Sequence, residues 1–465
     1  MRIVLLGILL LGAFLRFHTL GRQSFWVDEA YTWGVVVNTT WLTVWKSMLV
    51  VSDVSPLSYV IAKMCAPLFG THEFGLRLPS AFLGWLAIAA IYRAGRAMFG
   101  KTAGVLAATF IAVSPFAVWY SQDARPYGLY LLLGVWVLWG FWRAERGQGW
   151  GMFILASMAM YVTQYVSALF VYAQVGYILT QLRRQPLLFR KWALAQMVSV
   201  IPVVCWVIGF LLLRQPITAN TWIPKVTLLT PLNTIWNFVS GDLEQWTWLT
   251  APGAAIVIGL MIRGTWTLNR TTQLLLWWLL LPLTTAWMLS LRLPVYIDRF
   301  FEPAILSMAL LVAVGLIRLP TKITVTASLL LAFVMLSATF RLYGDPIFVR
   351  EDWRGAAGQL ASLGLTVGVP DPESVLGITP YMSPSLRDKL AFARDVSDLK
   401  TRWSEGPFVL VIRSPHDSAH ALSKSAPFDP LMEGPMFFRL WRMAHPEASV
   451  TVHQFVGLAL VEIGR

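Results

Sequence analysis

The sequence predicts an α-helical polytopic membrane protein that carries a small α/β domain at its C-terminal end. Three observations predict it. Hydrophobic residues fill 57% of the 465 positions, and mean hydropathy is +0.61. Charged residues make up 13%, half the roughly 25% typical of soluble domains. The charge also divides at residue 341, with a net +15 before it and −2 after it. This composition excludes a disordered or collagen-like chain. Cys65 and Cys205 both stand in apolar stretches and form no disulfide framework or zinc spacing. The pI near 9.9 does not signal nucleic acid, because the bases stand in ones and twos between apolar runs. No nucleic-acid partner is expected.

A helix needs about 20 apolar residues to cross the hydrocarbon core. The stretches that qualify are 3–20, 78–98, 103–119, 127–142, 150–164, 166–182, 192–213, 250–262, 273–290, 303–318 and 323–341, about eleven in all. Arg2, Arg93, Arg96, Lys101, Arg143, Arg146, Arg183, Arg184, Arg190, Lys191, Arg263, Arg270, Arg318 and Lys322 all fall on one side, in short loops. The positive-inside rule makes that side cytoplasmic. The N-terminus is then inside and the tail outside, in the multi-pass topology of a cytoplasmic-membrane protein. Residues 3–20 read as an anchor, because Phe17-His18-Thr19 offers no small-residue cleavage site.

On this topology eight of the membrane part's ten acids lie in outer loops, Asp28, Asp53, Glu73, Asp123, Asp242 and Glu244 among them. Carboxylates contribute little to orientation, so their gathering on one face points to a polar site there. Within the first outer segment, Glu29–Val37, Leu42–Val51 and Pro56–Phe69 read as short helices along the membrane plane, with Trp33, Trp41, Trp45 and Tyr59 at the interface. Of 23 tryptophans, 20 precede residue 341, which fits an interfacial belt better than a tryptophan-lined ligand site. The division gives a membrane domain over 1–341 and an extracytoplasmic domain over 342–465. In the latter, Phe408–Ile412 and Ser449–Val452 read as strands and Trp353–Leu363 as a helix. Its outer location suggests acceptor selection.

Gly95–Thr102 matches the P-loop pattern letter for letter, but a membrane span precedes it instead of a strand, so topology and a helix-breaking glycine explain it. His416 and His420 stand at i and i+4, where two imidazoles can hold a metal, but no third ligand stands at a telling distance. A solvated loop is the favoured reading there, and no divalent metal or other cofactor is indicated.

Two segments stand above this level. Phe25-Trp-Val-Asp28-Glu29-Ala30 follows the first span, and Ser114–Tyr127, with Tyr120-Ser-Gln-Asp123-Ala-Arg125-Pro-Tyr127 at its end, joins two later spans. Each sets a carboxylate at the outer water boundary between apolar flanks, where ionisable groups are functional candidates.

On these residues the chain resembles the GT-C glycosyltransferases, in the bacterial branch similar to protein O-mannosyltransferases and the lipid A aminoarabinose transferase (glycosyltransferase family 39). Trp26-Val-Asp28-Glu29-Ala30 matches the family's aromatic-x-Asp-Glu-Ala pattern, and Tyr120–Tyr127 matches its Tyr-Ser-Gln-acid-x-Arg-Pro-Tyr signature. Glu73–Ser80, Asp298-Arg299-Phe300 with Pro303, and Glu351–Ala357 also fit, in order. One stretch departs. Asp53-Val-Ser-Pro56-Leu-Ser-Tyr59 lacks the histidine, one proline and one tyrosine of the usual Asp-x-His-Pro-Pro-Leu-Tyr-Tyr, so no metal or acceptor contact is carried over to it.

The resemblance implies a GT-C bundle and an inverting transfer of sugar from a polyprenyl-phosphate donor to a lipid, glycan or protein acceptor. Such chemistry asks for a carboxylate base and for a cation beside the departing phosphate. Asp28 is the expected base and Asp123 the second catalytic acid; pairing with Arg125 or helix capping are alternatives for Asp123. Arg299 is the expected phosphate partner with Arg125 behind it, against snorkelling or an ion pair with Asp298. Glu29, Tyr120 and Tyr127 complete the expected substrate-side group, and the Glu29 carboxylate also suits a helix start. A secondary transporter is the rival by composition, but it would place polar groups near mid-span, where only Glu302 comes close. A polysaccharide ligase or polymerase would concentrate its site in a later outer loop.

Overall fold

A computed structural model describes residues 2–44, 56–212, 223–241, 250–345, 348–414 and 429–464. Asp53, Asp242, Glu244, His416, His420 and most of the expected Leu42–Val51 helix lie outside the described residues. The chain divides into two compact units. One holds 1–20, 39–70 and 75–342; the other holds 21–38, 71–74 and 343–465.

The first unit is helical, and each of the eleven apolar stretches is helical over most of its length. Among the described residues three helices, Glu73–Phe99, Arg270–Ser290 and Thr321–Gly344, are long and apolar enough to cross a membrane, and two bent pairs bring the number to five if each is one span. Pro56–Phe69, Trp150–Tyr161, Gly253–Thr265 and Ala304–Ile317 are shorter apolar helices. All but the last residue of Ala304–Ile317 is buried, so that helix forms the core of the unit. Small residues let its neighbours approach. A Cβ on Gly315 would sit 2.0 Å from the Leu260 carbonyl oxygen, and one on Gly264 would sit 2.4 Å from that of Leu311.

The same rule accounts for the P-loop look-alike. Gly95 lies inside the helix Glu73–Phe99 and packs on the next helix, Lys101–Val113, where its Cβ would come within 3.0 Å of the Gly104 Cα. Gly100 turns the chain between them at φ 94°. These glycines serve a helix crossing and cradle no phosphate.

Several polar side chains inside the bundle pair with one another, as an apolar surround favours. Trp192 Nε1 and Gln196 Nε2 both donate to Gln174 Oε1 at 2.7 Å, and the Tyr161 hydroxyl donates to Gln196 Oε1 at 2.6 Å. Asn269 caps Arg270–Ser290 with a reciprocal box through Thr272.

The second unit contains a five-stranded sheet. Strands β1 (Thr366–Val369), β2 (Leu390–Phe392), β3 (Phe408–Arg413), β4 (Val450–Phe455) and β5 (Leu458–Ile463) run in the order β2-β1-β3-β5-β4. The first three are parallel, and β5 and β4 form an antiparallel hairpin. Burial on both faces makes β3 a continuous apolar run. One face packs Trp353, Leu360, Val367 and Val409 with Leu458 and Leu460; the other packs Leu399, Phe408 and Leu410 with Phe438 and Trp441. Helix Trp353–Leu363 has the bounds the sequence predicts. Residues 21–38, the start of the first outer segment, belong to this unit, and Val27 packs against the Trp353 cluster.

Candidate functional site

Asp28 lies half-buried in the first turn of the helix Val27–Asn38, which begins two residues before the expected Glu29. The chain leading into that helix is stitched to the C-terminal part of the second unit. The Gln23 side chain brackets it, accepting from the Arg350 backbone N–H at 2.9 Å and donating to the Phe348 carbonyl at 3.3 Å. Ser24 Oγ accepts from the Arg354 N–H, and the Phe25 N–H donates to the Tyr381 hydroxyl at 2.6 Å. Tyr381 in turn donates to Glu73 Oε1 at 2.7 Å, and Arg354 pairs with the same oxygen. Burial first, and then the Glu73 carboxylate, push the Tyr381 phenol above its usual value, so it stays a donor.

Glu29 has no exposed surface. Its Oε2 accepts from the Trp26 N–H at 3.3 Å, at the helix start, and from Arg350 Nη1 at 2.5 Å in a buried ion pair. One turn on, the Arg387 guanidinium lies 5.3 Å over the Trp33 ring. The helix that carries Asp28 is thus fixed along its 29–33–36 face.

The other expected residues belong to the first unit. Ser114 stops Lys101–Val113 and caps Pro115–Ser121, accepting from Ala117 N–H and donating to the Phe238 carbonyl; the two helices meet at a 59° bend. The turn that follows holds Asp123, 1% exposed, and buried Arg125. Arg125 Nη1 donates to the Tyr59 hydroxyl at 3.1 Å. Tyr120 and Tyr127 pack edge to face with ring centres 5.0 Å apart. Gln122 ties the turn to the end of the first helix, donating to the carbonyls of Leu15, Arg16 and His18. A small cleft lined by Ser58, Ala62, Leu76, Ser80 and Leu83 opens beside Arg125.

Arg299, half-buried, sits in the 3-10 turn Asp298–Phe301 ahead of the Ala304–Ile317 helix. Both Asp298 oxygens accept hydrogen bonds, from Thr234 Oγ1 at 2.7 Å and from Asn237 Nδ2. Glu302 closes the same turn with no exposed surface, and neither of its oxygens has a hydrogen-bond partner among the described residues. Burial pushes its carboxyl well above the usual range; Arg16 opposes that shift and Asp123 adds to it. No group of three or more His, Cys, Asp or Glu side chains placed to hold a metal occurs among the described residues.

The structure therefore places Asp123 and Arg125 on one turn between Tyr120 and Tyr127, which end and begin the flanking helices, and sets Asp28 and Glu29 on one helix of the second unit. Sequence reasoning missed Arg16, Arg350 and Tyr381. A lone arginine in the first apolar run was a signal for Arg16. Arg350 and Tyr381 stand more than 300 residues from their partners, and no local pattern marks them.

Known proteins share this architecture. Residues 53–209 match the model of the dolichyl-phosphate-mannose-protein mannosyltransferase family. YkcB of Bacillus subtilis (strain 168), named as a candidate mannosyltransferase, is 30% identical over 145 residues, 29% of this chain. That match spans 20% of the relative's own length. Two crystal structures of ArnT from Cupriavidus metallidurans, apo and bound to undecaprenyl phosphate, superpose with TM-scores of 0.64 and 0.63 at 13% and 14% identity. Each alignment covers 99% of this chain and 97% of that one. The chain has the fold of ArnT. Within that fold it is a multi-pass membrane protein of mostly apolar helices joined to a small sheet-containing unit.

Proposed function

We propose that this chain is a GT-C glycosyltransferase of the cytoplasmic membrane, with its N-terminus cytoplasmic and residues 342–465 extracytoplasmic. It would move a sugar from a polyprenyl-phosphate donor to a lipid, glycan or protein acceptor at the outer face. The observation that carries the reading is the near full-length likeness to ArnT, which has been crystallised with undecaprenyl phosphate. The match to the dolichyl-phosphate-mannose-protein mannosyltransferase model points to the same donor class.

In the transfer, an acceptor oxygen or nitrogen attacks the anomeric carbon from the side opposite the lipid phosphate. The new bond forms as the carbon–oxygen bond to phosphate breaks, which inverts the carbon. The acceptor's proton passes to the Asp28 carboxylate, and the bonding pair leaves on the phosphate oxygen. Arg299, with Arg125 behind it, would stabilise the charge that develops there, since a fixed guanidinium needs no reorganisation at that moment. Asp123 is the second acid in this scheme. Tyr120 and Tyr127 shape its turn.

Purified protein in liposomes, supplied with radiolabelled polyprenyl-phosphate sugars and a lipid extract, tests the scheme. Asp28→Asn should lower turnover by about 10²–10⁴-fold, the usual contribution of a positioned base, while the protein stays folded. An active Asp28→Asn protein removes Asp28 as the base. Arg299→Ala should lose mainly donor use, and unchanged donor kinetics would take Arg299 out of the reaction.

A further inference from the structure

We infer that Arg350 is a positioning residue for Asp28, acting through Glu29, so that the C-terminal part of the chain sets the aim of the base. The inference rests on the reading of Asp28 as the base and adds a residue to it. Glu29 follows Asp28 directly, and successive helical residues are about 100° apart around the axis. Whatever fixes the direction of Glu29 therefore fixes that of Asp28. Glu29 is held from two sides, by the Trp26 N–H at the helix start and by the Arg350 guanidinium at 2.5 Å. Both partners of the ion pair are buried. The Arg350 backbone is itself anchored, because its N–H donates to Gln23 in the segment leading into the helix. Helix, guanidinium and entry segment thus form one closed circuit in one compact unit.

A buried carboxylate keeps its charge only when it is paired. Without Arg350, Glu29 would either take up a proton and release the helix start, or remain charged beside Asp28. The second case leaves a carboxylate next to the base with no cation to offset it. Either result acts on the chemical step. Donor binding through the guanidiniums of Arg299 and Arg125 is left alone.

The test compares R350K, R350M and the exchange E29R/R350E with wild type and D28N in the liposome assay, reading kcat, donor KM and the thermal midpoint. R350K keeps the charge but loses the planar two-pronged fork. We expect R350K to fold with a wild-type donor KM and reduced kcat. R350M should fall on the order of 100-fold in kcat, the cost of an ångström-scale misplacement, with donor KM unchanged. The exchange should recover part of the lost kcat.

Wild-type kcat in R350K and R350M would overturn the proposal, as would losses in kcat and KM that simply follow the thermal midpoint. If R350M does not accumulate folded, R350K and the exchange decide by the same criteria. The underlying reading fails separately, through an active D28N.

Discussion

Glu302 holds a carboxyl where a charge is hard to keep. Its oxygens are buried without hydrogen-bond partners among the described residues, and the charged or titratable groups that influence it are Arg16, Asp123 and Tyr130. Two Arg16 Nη atoms are already engaged by the carbonyls of Gly12, Ala112 and Ile111, so this guanidinium does not solvate Glu302 fully. Burial therefore favours the protonated carboxyl. Its folded pKa lies above the unfolded value, near 4.3. The stability this contributes is complete below about pH 4.3 and is lost as pH rises through the folded value. Glu302→Gln copies the neutral shape and does not titrate. Melting in detergent across a pH series should show wild type losing ground to Glu302→Gln as pH rises above about 4.3. Parallel curves would mean that Glu302 is already ionised. The sequence marked Glu302 as the one acid near a span, but only the fold shows Arg16 and Asp123 beside it.

At the scale of elements, Gly95 of the phosphate-loop look-alike and Gly104 facing it set how closely two helices approach. A Cβ at Gly104 would lie 2.6 Å from the Tyr92 carbonyl oxygen and 2.9 Å from the Arg96 nitrogen. Both are backbone atoms, so a side-chain rotation cannot relieve the clash. Gly104→Ala should destabilise the protein by about 1–3 kcal/mol, the range for overpacking, and lower the thermal midpoint. Gly151 is the control. A Cβ there meets nothing within 4 Å, and alanine in a helix is favoured over glycine by roughly 0.5–1 kcal/mol, so Gly151→Ala should hold or raise the midpoint. Equal effects at both positions would show that the crossing tolerates separation. The elements themselves were legible, since apolar runs and helical periods depend on local composition. Pro56–Phe69 and Trp353–Leu363 appear with the bounds the sequence predicts. The kink at Ser114 was not, because a capping serine before a proline resembles a span boundary as readily as a bend inside one.

For the whole molecule, the informative fact is that residues 21–38 share a compact unit with residues 343–465. A sequence read from one end to the other suggests a boundary near residue 341, where composition changes. It carries no sign that a segment before the second apolar run completes a core formed 300 residues later. Phe25, Ala30, Trp33, Val35 and Val36 are buried, and Val27 packs against the Trp353 cluster. Glu29 keeps its charge through Arg350, and Trp33 lies under Arg387. Removing everything after Leu342 would strip that helix of its ion pair, its cation and part of its packing in one step. A short helix with a buried carboxylate and no partner does not hold its place. The expected result is therefore loss of transfer to every acceptor, with faster hydrogen exchange and protease cleavage confined to residues 21–38 while the helices of the first unit stay protected. A role limited to acceptor selection predicts the opposite. The truncated protein would keep its turnover and its protection at 21–38 and change only the range of acceptors used, and that outcome would return the C-terminal part to substrate choice.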